Sequence, residues 1–113
     1  MKISKFKVFW ANLTEAGKHI QNGVRPVLVL GNDKANRFSD VVTVLPISSQ
    51  IEKFESIPTH VIIEEGLKKQ SVILPEQIRT IPKGCIFGDC IYTLNKNETD
   101  LVKNAVIKQL GVT

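Results

Sequence analysis

The segment RPVLVL at residues 25–30 constrains the fold more than any other part of the chain. Every residue of this segment after Arg25 is apolar. Because side chains alternate between the two faces of a strand, both faces would be apolar. Such a strand needs cover on both sides and belongs at the centre of a sheet. Pro26 has no backbone N–H, which places it at the first residue of the strand or on an edge. We therefore expect a buried central strand with a charged residue at its entrance.

Five further segments have the β-branched and aromatic bias of strands. They are FKVFW at 6–10, VVTVLPISSQ at 41–50, HVIIE at 60–64, SVILPEQIRTI at 71–81 and the shorter DCIYTL at 89–94. The segments between them are polar or rich in turn-forming residues, and the longer ones are predicted to be loops. These loops are residues 12–23, 31–40 and 51–60.

A helix is predicted at the end of the chain. Asn95 is a good N-cap, and Glu98 stands where its carboxylate can reach back to the N–H of the cap. Gly111 supplies a C-cap. An apolar stripe at helical spacing lies between the caps and comprises Leu101, Val102, Ala105, Val106 and Leu110. Five or six short strands and one terminal helix predict a mainly β (α+β) fold, a small, partly open β-barrel with the helix packed on it.

The length and the apolar pattern indicate one domain over residues 1–113. No apolar run approaches the roughly 20 residues that a membrane-spanning helix needs. The N-terminus, MKISKFKVFWANL, mixes lysines into its apolar residues and lacks the apolar core and cleavage site of a secretory signal. We therefore expect a cytoplasmic protein with no membrane partner.

The formal charge of +4 is unevenly distributed along the chain. Residues 1–50 hold seven Lys and Arg against three Asp and Glu, whereas residues 51–113 hold eight of each. The whole excess therefore lies in the part that contains Arg25. A basic surface suits a polyanion such as RNA or DNA, and it also suits an acidic protein partner.

The two cysteines, Cys85 and Cys90, have no second ligand pair with which to complete a zinc site. We expect two small core thiols in a reducing compartment, with a disulfide or redox pair as the alternative. The chain also lacks a Gly-rich phosphate loop of Walker or Rossmann type, an HExxH motif and a nucleophile elbow. No cofactor and no metal site are predicted.

Histidines and aromatic residues in the loops offer further candidates. His19 and His60 are either two unrelated surface residues or an acid–base pair for cutting RNA. Phe38 and Phe54 lie in predicted loops, where they would either stack on RNA bases or anchor the loops into the core. Trp10 is predicted to belong to the core.

A set of polar residues occurs at the ends of predicted strands or beside predicted loops. A barrel can gather such residues from distant parts of the sequence, where they would bind an anionic ligand. They would otherwise satisfy local backbone groups. The set consists of Arg25, Ser48, Ser49 and Gln77.

Several blocks in combination resemble the MazF/PemK-type toxins of bacterial toxin–antitoxin modules. The blocks are GVRPVLVL followed by ND, then VLPISSQ, PTHV and SVILPEQIRTI, whose EQIRT segment is the most specific. The resemblance runs from FKVFWANL to the terminal helix and is greatest to the Gram-positive, EndoA-like branch. It implies an SH3-like barrel of CcdB/MazF type that forms a homodimer. It also implies a sequence-specific, metal-independent endoribonuclease that cuts single-stranded mRNA and is inhibited by a cognate antitoxin protein.

The resemblance also implies roles for particular residues. The catalytic arginine of the family falls on Arg25, and the position of its catalytic threonine is Ser48. RNA would run along a groove of the dimer, for which the C-terminal tail of the antitoxin competes. The positions implied to contact RNA are Gln77, Gln21, His19, Ser49, Gln50 and Thr59.

The chain departs from the pattern of the family at several of these positions. Ser48 replaces the usual threonine and lacks the methyl group that stiffens its rotamer. Ile20–Gln21 replaces the Glu-Gln pair of many relatives, which leaves His19 as a substitute base. Phe6–Lys7 replaces a Gly-acid pair that is usual in relatives, and Asn12 replaces an aspartate. The alternative is therefore a weakened or non-catalytic protein that acts by binding an antitoxin or gyrase.

Overall fold

The computed structural model describes residues 3–13, 23–51 and 59–112. Within them, seven antiparallel strands form a sheet in the order β4-β5-β3-β2-β1-β7, with β6 pairing to β3. The strands are β1 (Lys7–Leu13), β2 (Gly23–Val29), β3 (Val41–Ser48), β4 (Val61–Ile63), β5 (Ser71–Ile73), β6 (Arg79–Pro82) and β7 (Ile86–Thr93). The α-helices that lie wholly within the described residues are α1 (Asp33–Phe38) and α2 (Lys96–Leu110). The predicted mainly β fold with a C-terminal helix is confirmed.

Strand β2 is covered on both faces, as its apolar run predicts. Val27, Leu28 and Val29 have no exposed surface. Val27 and Val29 belong to one hydrophobic cluster, whereas Leu28 belongs to another. Because burying one such side chain contributes about 1.5–3 kcal/mol, these three residues strongly favour this position of the strand.

The two clusters lie on opposite faces of the central strands. One contains Phe9, Val44 and Ile81 together with alternate residues of β2. The other is covered by β4, β5 and α2, which contribute residues such as Ile63, Ile73 and Val102. The alternation of side chains along a strand thus divides the interior of this small protein into two cores.

Among the described residues, the first half of β2 pairs with a strand on one side only. Its pairing with β1 runs from Gly23 opposite Leu13 to Leu28 opposite Val8. Its pairing with β3 begins at Val27, opposite Pro46. Pro26 therefore lies where no bond from its nitrogen to β3 is needed, which confirms the edge position expected for it.

The predicted loop at residues 31–40 is wrong in part, because it contains α1. Asn32 caps this helix by accepting a hydrogen bond from the N–H of Ala35 at 2.8 Å. Asp33 lies in the first turn, where a carboxylate is favoured by the helix dipole. The capping signal is present in the sequence but is short, so the turn-forming residues around it dominate the pattern.

The single strand predicted at residues 71–81 is also wrong, because it is two strands. A 3₁₀ turn at Pro75–Gln77 separates β5 from β6, and Pro75 stands at its start. Proline cannot donate a ladder hydrogen bond, which is why the pairing along β3 is interrupted here. The N–H of Leu74 still donates to the carbonyl of Pro46 at 3.0 Å, so the turn stays close to β3.

Helix α2 confirms both predicted caps. The side chain of Asn95 accepts from the N–H of Glu98 at 2.8 Å, and the Glu98 carboxylate accepts from the N–H of Asn95 at 3.0 Å. Gly111 ends the helix at a φ of 66°. The predicted stripe is buried only in part, because Leu101 and Leu110 are exposed. None of the described helices has the length and apolar character needed to cross a membrane.

Strand β7 is longer than predicted and bulges beside β1. Val8 is opposite Tyr92, whereas Trp10 is opposite Phe87, so two steps along β1 match five along β7. Bulges of this kind bend a strand and redirect its side chains. Trp10 is 39% exposed, so its predicted place in the core is wrong.

The cysteines fit the predicted core thiols only in part. Cys85 is half-buried and packs against a core cluster, whereas Cys90 is exposed on β7. Both are free thiols. The prediction is therefore wrong for Cys90, because the bulged part of β7 is solvent-exposed.

Gly66 holds the connection between β4 and β5 against the ring of Tyr92. Its φ is +107°, and a Cβ at this position would overlap the Tyr92 ring. Both the backbone conformation and the close contact therefore require glycine. This contact fixes the connection against β7.

We predict that Gly66→Ala lowers the free energy of unfolding by about 2–4 kcal/mol, since it combines strain with a steric overlap. Urea denaturation would measure the change. Gly84→Ala is the matched control, because nothing lies within 4 Å of a Cβ there, and it should change stability by less than about 0.5 kcal/mol. Equal effects of the two substitutions would contradict the role of Gly66.

Tyr92 also completes the cap of α2. Its hydroxyl donates to Oε1 of Glu98 at 2.6 Å. This hydrogen bond, helped by burial and by the negative charge of Glu98, raises the pKa of Tyr92 from 10.0 to about 12. Between these two values the folded protein keeps a proton that the unfolded chain has lost, so this contribution to stability falls as the pH rises.

We predict that Tyr92→Phe lowers the free energy of unfolding by about 1 kcal/mol near neutral pH. The difference between wild type and variant should persist up to about pH 10 and shrink as the pH approaches 12. Urea denaturation at a series of alkaline pH values would test this. A difference that stays constant across the series would show that the hydroxyl's proton is not involved.

Candidate active site

A surface cleft of about 540 Å³ lies at the open end of β2. Val24, Arg25 and Pro26 of β2 line one part of it. The connection between β4 and β5 lines another, and Trp10 and Ile91 contribute from β1 and β7. A cleft of this size lies in the range typical of small-ligand sites. Arg25 therefore lies at a concave surface and not on an open face.

Arg25 lies beyond the last residue pair between β2 and β3. The two strands pair at Val27 opposite Pro46, and this pairing does not extend to Arg25 or to Ser48. Ser48 pairs instead with Val72 of β5. Of the two residues expected to be catalytic, Arg25 lines the cleft, whereas Ser48 is buried at the end of β3 and does not line it.

The two serines at the end of β3 have different environments. Ser48 is 2% exposed, and its Oγ accepts a hydrogen bond from the N–H of Gln50 at 3.1 Å. Ser49 is exposed and lines the cleft with Arg25. Gln50 follows at the exposed end of the strand. The Ser48 hydroxyl keeps its own proton for donation to another acceptor.

Gln77 lies in the 3₁₀ turn between β5 and β6 and does not line the cleft. Its neighbour Glu76 receives a hydrogen bond from Nε2 of His60, which is 2.8 Å from both carboxylate oxygens. The side chain of His60 is only 1% exposed. The predicted surface position of His60 is therefore wrong, since this pair joins the start of β4 to the 3₁₀ turn.

Thr59 is directed toward α2. Its hydroxyl donates to Oε1 of Gln109 at 3.2 Å. Phe38 is 73% exposed at the end of α1, so it does not anchor the core. Other candidates lie outside the described residues, namely His19, Ile20, Gln21 and Phe54.

Among the cleft residues that sequence reasoning missed, three carry an aromatic ring or a charge. Trp10 was expected in the core, and its exposure depends on the bulge in β7. Lys68 and Lys69 lie in the short connection EGLKKQ, where lysines are usually only solvent-exposed. The adjacent pair Lys68 and Lys69, shortly after Gly66, was the sequence feature that could have indicated a cationic site here. In the described part of the chain, no group of three or more His, Cys, Asp or Glu could hold a metal ion.

We predict that Glu76→Ala lowers the free energy of unfolding by about 1–3 kcal/mol, because the buried His60 loses its carboxylate acceptor. Glu76→Gln is the matched control, since its amide oxygen can still accept from Nε2. It should retain most of the stability. Thermal or urea denaturation would compare them, and equal losses would mean that the hydrogen bond does not matter.

The described fold and cleft define a class of protein: a small curled β-sheet with a C-terminal helix and an arginine at a concave surface. The family model described as "PemK-like, MazF-like toxin of type II toxin-antitoxin system" matches residues 4–110. The chain therefore belongs to this toxin family.

Two curated relatives agree with this assignment. Endoribonuclease EndoA of Bacillus subtilis (strain 168) is 46% identical over 86 residues, which cover 74% of this chain and 73% of the relative. Endoribonuclease MazF of Staphylococcus saprophyticus is 40% identical over 108 residues, which cover 93% of this chain and 88% of the relative.

Solved structures share the fold. MazF from Deinococcus radiodurans superposes with a TM-score of 0.84 at 20% identity, covering 99% of each chain. A mycobacterial endoribonuclease in complex with its cognate antitoxin gives a TM-score of 0.76 at 18% identity and covers 99% of this chain and 96% of its own. The expected barrel of MazF type is therefore confirmed.

Proposed function

We propose that this protein is the toxin of a bacterial type II toxin–antitoxin module and cuts single-stranded mRNA at specific sequences without a metal ion. Its family and its relatives named endoribonucleases support the activity. The observation that carries the chemistry is the position of Arg25, at the cleft and on a strand whose pairing with β1 fixes its backbone. We place the reaction in the cytoplasm, where mRNA is available.

RNA supplies its own nucleophile for this reaction. The 2′-hydroxyl oxygen attacks the adjacent phosphorus, so that a P–O2′ bond forms and the P–O5′ bond breaks. The products are a 2′,3′-cyclic phosphate and a 5′-hydroxyl. The 2′-hydroxyl proton must be removed and the departing 5′-oxygen must receive one. The main task of the protein is to stabilise the crowded anionic phosphorane that forms before the P–O5′ bond breaks.

Arg25 suits this task because its guanidinium presents five N–H donors in a planar fork. The fork can hold two phosphate oxygens at once, and charge-assisted hydrogen bonds of this kind are strong. The guanidinium can donate a proton to the departing 5′-oxygen and take one back from water after the product leaves. Ser48 is proposed to donate its hydroxyl proton to the same phosphate.

The proton acceptor for the first step is not supplied by the described lining of the cleft, where no residue carries a carboxylate or an imidazole. His19 is the proposed candidate, next to Ile20, where many relatives have glutamate. RNA contacts are proposed for a wider set of residues: Gln77, Gln21, His19, Ser49, Gln50 and Thr59.

The proposed partners are a second copy of this chain, single-stranded RNA and a cognate antitoxin protein. A relative of known structure was solved in complex with its antitoxin, which supports the last of these. The alternative of a non-catalytic binding protein is not favoured, because relatives that cover most of the chain are named endoribonucleases.

We predict that Arg25→Ala lowers the cleavage rate by about 10²–10³-fold, because it removes a preorganised donor to the developing anion. Arg25→Lys should retain little activity, since it keeps the charge but loses the fork. The assay is cleavage of a long RNA in EDTA, with the cut ends mapped by primer extension. If Arg25→Ala cut RNA at the wild-type rate, the catalytic role of Arg25 would be rejected. If the wild-type protein cut no RNA, the proposed endoribonuclease activity would be rejected.

A further inference from the structure

We infer that Trp10, Lys68 and Lys69 form a nucleotide-binding subsite beside Arg25, in which one RNA base stacks on the indole and a neighbouring phosphate meets the lysines. The inference rests on the proposed function for its ligand. It adds residues outside the set that the sequence indicated, and it assigns a chemical role to the part of the cleft lined by β1 and by the connection between β4 and β5.

Trp10 is available at the cleft that Arg25 also lines. It lies opposite Pro26, the residue after Arg25 on β2. Trp10 lines the cleft and is 39% exposed. An exposed tryptophan on a paired strand is a rigid surface, because neighbouring strands fix its backbone on both sides.

The rest of the cleft near Trp10 is apolar. Val24 and Pro26 line it from β2, Ile91 from β7 and Leu67 from the connection between β4 and β5. A nucleobase has two flat apolar faces, so it fits an apolar wall that carries an aromatic ring. The volume of about 540 Å³ accommodates a ligand of nucleotide size.

The acidic and the basic residues of the connection between β4 and β5 line different surfaces. Glu64 and Glu65 line a different cleft, beside Tyr92 and the start of α2. Lys68 and Lys69 line the cleft of Arg25, and Gly66 lies between the two surfaces. The lysines therefore add to the positive charge of Arg25, while the acidic residues of the same segment line the opposite side.

An aromatic platform next to several cations is the pattern by which proteins hold single-stranded nucleic acid. The bases stack on the ring, and the cations neutralise phosphates and release counterions. An acidic peptide would satisfy the lysines but would not need the flat indole. The combination therefore favours RNA over a protein as the occupant of this cleft.

The fluorescence of Trp10 provides a direct test, because it is the only tryptophan in the chain. Full-length Arg25→Ala protein, which should not cut the probe, is titrated with poly(U) and poly(A). Stacking should quench the fluorescence, more strongly with poly(A). Trp10→Ala should weaken binding by about 5- to 100-fold, and Trp10→Phe by less, because phenylalanine keeps a stacking face.

The lysines are tested by the salt dependence of the same binding. Lys68→Gln and Lys69→Gln should each reduce the slope of log affinity against log salt by about 0.7. Lys96→Gln and Lys108→Gln are the matched controls, since both residues are exposed on α2 and away from the cleft lining. They should leave the slope nearly unchanged. Binding of the Trp10 variants can be followed by filter retention of labelled RNA.

The outcomes separate the subsite from the proposed function. Quenching and the variant effects without RNA cleavage by the wild type would support the subsite and reject the enzyme. Cleavage by the wild type with no quenching, and with unchanged RNA affinity in Trp10→Ala and Lys68→Gln, would overturn the subsite and leave the enzyme intact. Quenching by a Glu-rich peptide where RNA gives none would assign the cleft to a protein partner and would also overturn it.

Discussion

Burial of β2 on both faces is the constraint on which the rest of the structure depends. A shift of this strand by one residue would move Val27 and Val29 from their cluster to the other face, and Leu28 would move the opposite way. Neither core could accept the exchange without loss of packing. The register with β1 and β3 is therefore strongly specified. The position of Arg25 along the strand, two residues before Val27, is thus set by the packing of these apolar neighbours.

Much of the fold could be predicted because its signals are local. The apolar run of β2 indicated a doubly covered strand, and Asn95 with Glu98 indicated the start of α2. The failures occurred where two local signals competed. At residues 31–40 the turn formers outweighed a short cap at Asn32, and at residues 71–81 the β-branched residues outweighed Pro75. In both cases the tertiary neighbours on β3 decided the outcome, and a single sequence does not show them.

The candidate site was predictable to a smaller extent. Arg25 and Ser49 were predicted from strand ends, and the structure places both at one cleft. Trp10 was missed because its exposure depends on a bulge in a strand about 80 residues later in the sequence. The burial of His60 was missed because the carboxylate that accepts its hydrogen bond belongs to a distant turn. The exposure of Trp10 and the burial of His60 depend on contacts between segments that are apart in sequence. Composition and residue spacing do not show these contacts.

The contact between Gly66 and Tyr92 has a consequence for motion. The Tyr92 ring rests on Gly66, and its hydroxyl bonds to the carboxylate that also caps α2. Loosening of the first turn of α2 would release this carboxylate, then the ring, and then the segment that carries Lys68 and Lys69. We expect helix fraying and widening of the cleft to be coupled through these contacts. Amides of the first turn of α2 and of the segment after Gly66 should then exchange with solvent as a unit, although they are far apart in sequence.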